Sequence, residues 1–233
     1  MNRFRAVYAK EMAAIFYAPI AYIVIAVFAL LMGYTFCAQL FHTRSVSLIA
    51  LVYQAATLLL LTVPLITMRQ LAEERSSGTL ELLLSSPTGE FTLVAGKFCA
   101  SLTLVIVLLA VTMCYPLTLA WLAAPDWGTV CSGTIGLLLF GAALIAIGIA
   151  VSALTSNQVI AAAVTMGVFL LLWMAEVLGI YLPGVLADYA IAMSLDTRLT
   201  PFATGVVYLS DVGFFLSLTA LGCWVATLRL ARR

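Results

Sequence analysis

Long apolar stretches alternate with short polar ones along the chain. Each apolar stretch is long enough for a membrane-spanning helix, which needs about 20 residues because the hydrocarbon core is about 30 Å thick. The stretches are continuous and do not alternate residue by residue, which argues against a transmembrane β-barrel. The pattern therefore predicts an all-α integral membrane protein with six transmembrane helices, at about Ala18–Phe41, Leu48–Met68, Phe98–Leu122, Val130–Leu154, Val159–Tyr181 and Val206–Leu228.

The composition agrees with a chain that lies mostly in lipid. Of its 233 residues, 64% are hydrophobic and 9% are charged, whereas about 25% are charged in soluble domains. The six stretches leave little sequence for a soluble domain. We therefore expect residues 18–233 to form one six-span domain, preceded by a separate element at residues 1–17.

Basic residues indicate the orientation, because short cytoplasmic loops retain Lys and Arg. With both termini in the cytoplasm, only Arg44 and Arg198 lie outside. The cytoplasmic side then holds Arg3, Arg5, Lys10, Arg69, Arg75, Lys97, Arg229, Arg232 and Arg233. The bias predicts cytoplasmic N- and C-termini.

Residues 1–17 have the pattern of an amphipathic helix. Arg3 and Lys10 fall opposite an apolar face, and such a helix lies in the membrane interface. The alternative is a positively charged anchor that only sets the topology. The apolar face contains Phe4, Tyr8, Met12 and Ile15.

Residues 68–81 form a charged island between the second and third spans. Arg69 and Glu73 are four residues apart, as are Gln70 and Glu74, and this spacing favours a helix that extends the second span into the cytoplasm. The sequence Ser76-Ser77-Gly78 then predicts an interruption, because glycine tolerates turn geometry.

A second short helix is expected after this interruption. Gly78 or Thr79 can cap its start, and Pro87 ends it, since the residue before a proline is pushed out of the helical region. Glu90 then falls in the first turn of a helix that continues into the third span. The island thus predicts a transverse helix within residues 69–90, and the alternative is a solvated loop.

The segment 182–204 is long, and it mixes apolar residues with charges. We expect a short re-entrant or interfacial helix there on the external side. It either bounds the exit of a translocation path or only packs over the assembly. Glu176, within about two turns of the outer end of the fifth span, is expected to reach the interface or to bond another helix, and the alternative is a substrate contact. The candidate external-gate residues are Glu176, Asp188, Asp196, Arg198 and Phe202.

The chain shows no pattern of catalytic or cofactor-binding residues. Its five cysteines are scattered and its single histidine, His42, has no ligand partner at suitable spacing, so no metal site is expected. The stretch from Gly89 to Lys97 differs from a phosphate-binding loop in its glycine spacing and lacks a hydroxyl residue after the lysine. The spans carry no charge near their middle, which argues against a proton- or sodium-coupled carrier.

The island also carries a family resemblance. Residues 69–87, RQLAEERSSGTLELLLSSP, followed by Gly96-Lys97, resemble the first cytoplasmic loop of ABC-2 type permeases, in particular the gliding-motility and nitrous-oxide-reductase-accessory subgroup. Residues 201–215, PFATGVVYLSDVGFF, and the closing RLARR at 229–233 are similar to the last loop and span of that subgroup. The resemblance covers the layout of the whole chain.

This resemblance implies an ABC-2 exporter fold and a permease subunit of the bacterial inner membrane. Residues 1–17 would be its elbow helix and the transverse helix its coupling helix. A second permease copy or a homologous permease would complete a dimer, and a separate ATP-binding cassette ATPase would hold ATP and magnesium. This chain would then be no enzyme and would bind no cofactor.

The resemblance also implies the docking residues for the ATPase, which are Arg69, Glu73, Glu74, Arg75, Gly78, Thr79, Glu81, Leu82, Leu83, Leu84 and Pro87. Two functions remain open. The chain is either an ATP-driven exporter subunit or a mechanical coupler that transmits ATP-driven motion to an external accessory protein without moving a solute. Neither function involves nucleic acid.

Overall fold

The apolar stretches form helices that pack side by side in a bundle. The computed structural model describes residues 3–43, 47–79, 89–122 and 125–231. Within these ranges the regular secondary structure is helical, without strands. The helices are α1 (Arg3–Tyr17), α2 (Pro19–Thr43), α3 (Leu48–Thr67), α4 (Ala72–Ser76), α5 (Glu90–Leu122), α6 (Trp127–Leu154), α7 (Gln158–Trp173), α8 (Ala175–Tyr181), α9 (Val185–Met193), α10 (Leu195–Ala203) and α11 (Leu209–Ala231).

Five of these helical segments are long and apolar enough to cross a membrane, beginning at Pro19, Leu48, Glu90, Trp127 and Leu209. A sixth span is formed if α7 and α8 are taken together. The chain is therefore a multi-pass helical membrane protein, and its described residues provide five or six candidate spans. We call the end of the bundle where α5 begins and α11 ends the proximal end, and the opposite end the distal end.

Polar side chains set where several helices begin. Ser47 accepts a hydrogen bond from the Ala50 amide at the start of α3. Asp126 accepts one from the Gly128 amide at the start of α6. Asn157 accepts hydrogen bonds from the Val159 and Ile160 amides at the start of α7. Each satisfies an amide that has no partner inside its own helix.

Helix α6 lies at the centre of the bundle, and its small residues allow close packing. Gly133 lies against Val52 of α3, and Gly141 against Val105 of α5. On α11, a Cβ added at Gly222 would lie 2.6 Å from the backbone carbon of Ala146. The alanine and glycine positions of this helix therefore meet other spans of the same chain, which is how small residues bring membrane helices together.

The fifth predicted span is not one continuous helix. It breaks at Met174 into α7 and α8, which are bent by 56° relative to each other. Glu176, two residues after the break, accepts a hydrogen bond from Thr197 of α10 at 2.8 Å, and Gly179 packs against Ile191 of α9. At this bend α8 turns away from the axis of α7 and packs against α9 and α10.

The distal segment also differs from the single short helix expected within 182–204. It forms two helices, α9 and α10, since Ser194 ends the first and caps the second by accepting from the Thr197 amide. Phe202 of α10 is completely buried against Gly136 of α6 and Phe215 of α11. Helix α10 therefore enters the bundle.

Replacing Gly222 by alanine tests the close contact between α6 and α11. The added methyl would meet backbone atoms that cannot rotate away, so we expect about 1–3 kcal/mol of destabilisation and a lower thermal midpoint in detergent. Gly167→Ala on α7 is the matched control, because no atom lies within 4 Å of the added carbon. Equal midpoints for the two variants would contradict the close-contact role of Gly222.

Candidate functional site

The chain leaves the proximal end of α3 through an irregular turn at 68–71. Leu71 and Ala72 are buried, so their amides require partners. Both donate to the hydroxyl of Ser152 on α6, at 3.2 and 3.1 Å, and that hydroxyl donates to the Met68 carbonyl at 3.2 Å. One serine therefore fixes the end of α3 and the start of α4 to the central helix.

The spacing of Arg69 with Glu73 and of Gln70 with Glu74 predicts a helix that extends the second span. The helical segment does continue from Leu48 to Ser76, but this turn interrupts it, since α3 ends at Thr67 and α4 begins at Ala72. The hydrogen bonds of Ser152 replace those of a continuous helix at this point.

Helix α4 is short and ends where the sequence predicts an interruption. Glu73 and Glu74 lie in its first turn and Arg75 in its last, an order that suits the helix dipole. The Ser77 hydroxyl donates to the Glu73 carbonyl at 2.8 Å. Gly78 follows with a φ of 72°, a left-handed conformation that glycine adopts without strain.

Behind α4 lies a cluster of four charged side chains, which we call the ion cluster. The Lys97 ammonium of α5 is 2.9 Å from Oε1 of Glu11 on α1 and 2.9 Å from Oε1 of Glu74 on α4. Lys10 lies 3.2 Å from the same Glu74 oxygen. The side chain of Lys97 is only 1% exposed, whereas that of Lys10 is 54% exposed. The cluster joins three helices that are distant in sequence.

Neighbouring contacts hold the same helices together. Val7 of α1 packs against Gly96 of α5, where an added Cβ would lie 2.6 Å from Cγ1 of Val7. The Tyr8 hydroxyl hydrogen-bonds Thr103 at 3.0 Å. Gln70 donates to the Ser101 hydroxyl, which donates to the Lys97 carbonyl. Helix α1 is therefore packed along the proximal part of α5.

The predicted docking residues occupy different positions on this surface. Arg69, Glu73, Gly78 and Thr79 are exposed and Arg75 is half-buried, whereas Glu74 turns inward to Lys97. The remaining predicted residues, Glu81, Leu82, Leu83, Leu84 and Pro87, lie outside the described residues, as does the transverse helix expected there.

The candidate external-gate residues lie at the distal end, where Glu176 and Arg198 each pair with a residue of another helix. Thr197 bonds Glu176, as the sequence predicts for a helix-to-helix hydrogen bond, and Arg198 forms a 2.8 Å ion pair with Asp211. Phe202 lies in the core below them. Asp188 is exposed on α9 and takes no part in these contacts.

Asp196 of α10 carries a perturbed carboxyl group. Burial raises the pKa of Asp196 above its ordinary value, and the negative charge of Glu176 raises that pKa further. The carboxyl therefore favours its protonated form more strongly in the folded protein than in the unfolded chain.

Sequence reasoning missed four of the residues that organise these sites, namely Glu11, Lys97, Ser152 and Asp211. Lys97 served there only for orientation and as part of the family resemblance. Its signal was a single charge within an apolar helix, in Gly96-Lys97-Phe98, because such a charge requires a partner when it is buried. Ser152 carried no signal of its own. No group of potential metal ligands occurs among the described side chains.

The helices, with polar clusters at the proximal and distal ends of the bundle, define a multi-pass membrane protein. Its described residues contain no recognisable catalytic cluster. The family model described as ABC-2 family transporter protein matches residues 38–228 of this chain. The chain therefore belongs to the ABC-2 family, which comprises membrane components of ABC transporters. A search of curated proteins returned no significant match.

Replacing Lys97 by methionine tests the ion cluster. The change leaves the carboxylates of Glu11 and Glu74 with only the largely exposed Lys10 as a nearby cation. We therefore expect a loss of about 3 kcal/mol, as is typical when one partner of a buried pair is removed. Thermal unfolding in detergent measures it. Lys10→Met is the control, with an expected effect of at most about 1 kcal/mol because that side chain is largely exposed.

Replacing Asp196 by asparagine tests the distal carboxyl group. Because its pKa is raised by folding, the wild-type protein loses stability as the pH rises from the ordinary pKa through the raised one. We expect Asp196→Asn to raise the thermal midpoint at pH 7 but not at pH values below the ordinary Asp pKa. Asp188→Asn, at an exposed position, should leave the midpoint unchanged at both. A lower thermal midpoint of Asp196→Asn at pH 7 would contradict the raised pKa assigned to Asp196.

Proposed function

We propose that this chain is the permease subunit of an ABC exporter and that a separate ATPase docks on its proximal end. Two permease subunits, identical or homologous, would form the transmembrane part, and the ATPase would hold ATP and magnesium. The proximal end would face the cytoplasm, and the membrane would be the bacterial inner membrane. Family membership and the excess of basic residues on this side support the proposal.

The observation that carries the proposal is the way the segment 68–79 is held. Ser152 ties it to α6, Lys97 ties it to α5, and Glu11 ties it to α1 through the shared lysine. A displacement of this segment would therefore move three membrane-packed helices together. That arrangement suits a point where motion of a soluble partner enters the bundle.

The exposed charges of the segment provide the proposed contacts. Arg69 and Glu73 face outward, with Gly78 and Thr79 beyond them at the bend. We assign the direct polar contacts to these outward residues and to the continuing segment through Pro87. Glu74 has a different part in this proposal, because it holds the segment against Lys97 and so positions the docking surface.

Charge reversal at Glu73 tests the docking surface. With the cognate ATPase co-expressed, Glu73→Lys should weaken the complex about tenfold and reduce permease-stimulated ATP hydrolysis. Asp188→Lys is the matched control, because it reverses an exposed acidic residue at the distal end. Stoichiometric recovery of the ATPase with normal turnover in Glu73→Lys would contradict the assignment of Glu73.

Transport itself requires a separate measurement. Reconstituted complexes should show ATP-dependent movement of a substrate across the vesicle membrane. ATP hydrolysis that depends on a distal accessory protein, without any flux, would instead identify a mechanical coupler.

A further inference from the structure

Helices α8 and α9 form a hairpin at the distal end of the bundle. Gly184, with a φ of 56°, lies in the turn between them. A Cβ added at Gly179 of α8 would lie 2.8 Å from Cγ1 of Ile191 and 3.2 Å from the carbonyl oxygen of Ala187, both on α9. The two helices are therefore in close contact, and α9 lies at the same depth in the bundle as α8.

The depth of α8 follows from the length of α7. Helix α7 has 16 residues, so it is about 24 Å long and shorter than the hydrocarbon core of about 30 Å. It begins at the proximal end, where Asn157 caps it, and its last residue, Trp173, contacts Phe140 in the middle of α6. Helix α8 therefore begins inside the hydrocarbon core, and it continues through the distal leaflet at an angle of 56° to α7.

Helix α9 presents an apolar face away from α8, and none of its residues is buried. Four large exposed side chains fall within an arc of about 100°, because successive residues of an α-helix are about 100° apart. Asp188, the single charged residue of α9, lies outside this arc. Large apolar side chains are more stable in hydrocarbon than in water. We call these four residues the outward face of α9, and they are Val185, Leu186, Tyr189 and Met193.

Exposed aromatic residues mark the level of the distal membrane interface. Trp121 and Trp127, at the distal ends of α5 and α6, are both exposed. Tyrosine and tryptophan are enriched where a membrane meets water, because their rings have an apolar body and a polar group. Tyr181 at the end of α8 and Tyr189 of α9 are exposed in the same way. The hairpin therefore has the residues of a segment at this interface.

The position of the small residues argues against a second copy of the chain on the outward face of α9. Helices that associate within lipid place small residues at their contact. In this hairpin Gly179 and Ala187 lie in the contact between α8 and α9. The outward face consists of large side chains, which is typical of a surface that meets acyl chains.

We propose that the α8–α9 hairpin is embedded in the distal leaflet and that phospholipid acyl chains cover the outward face of α9. Asp188 would lie toward the headgroups and water. The hairpin is then a contact surface for the lipid of one leaflet. This inference depends on neither ATPase docking nor transport.

Electron paramagnetic resonance of spin labels in phospholipid nanodiscs tests this placement. Single cysteines are labelled in a full-length chain whose five native cysteines are replaced by serine. Molecular oxygen concentrates in hydrocarbon, whereas a neutral nickel chelate stays in water. Labels at Val185→Cys and Tyr189→Cys should be more accessible to oxygen than to nickel. Asp188→Cys should give a lower ratio of oxygen to nickel accessibility than either of them.

Ser156→Cys is the aqueous control, because Ser156 is exposed in the polar turn between α6 and α7, and its label should be more accessible to nickel. The same result at Val185→Cys and Tyr189→Cys would place the outward face in water and overturn the proposal. Low accessibility to both reagents, with dipolar broadening between labels, would identify a second copy and overturn it equally. An equal ratio at Asp188→Cys and Tyr189→Cys would refute the orientation of α9.

Discussion

Close approach of helices to α6 is the constraint on which the rest of the structure depends. Between helices in lipid there is little hydrophobic driving force, so association requires tight packing and polar contacts. Gly133, Gly141 and Gly148 let α3 and α5 approach α6, and Gly222 of α11 meets Ala146. At the proximal end of this helix, Ser152 supplies the hydrogen bonds that hold the turn after α3. The central helix thus fixes both the spans and the segment proposed to receive the ATPase.

The ion cluster holds together the helices at the proximal surface. Lys97 is almost completely buried, and two carboxylates from different elements share its charge. A buried charge without a partner is strongly destabilising, so α1 and α4 must remain close to α5 for the cluster to persist. Docking and helix packing would therefore be linked through Lys97 and Glu74.

Several features of the fold could be predicted from local sequence. The apolar stretches predicted the spans to within a few residues at most ends, because a spanning helix satisfies its backbone internally and needs a continuous apolar surface. The interruption at Gly78 followed from local turn chemistry. The bend at Met174 could not be predicted in the same way, because it accompanies contacts of Glu176 and Gly179 with later helices. The helix expected through Arg69 and Glu73 does extend the second span to Ser76. Its interruption at residues 68–71 could not be predicted, because Ser152, distant in sequence, provides alternative hydrogen-bond partners there.

By itself, the sequence determined that the chain is a helical membrane protein, where its apolar helices lie and which short segment concentrates charge. These properties depend on hydropathy, length and turn chemistry, and all three are local. Only the tertiary structure decided that Glu74 faces inward while Glu73 faces outward, and that Glu11 shares Lys97 with it. It also placed Asp211 beside Arg198. Such pairings depend on which helices become neighbours, and this is set by packing around α6.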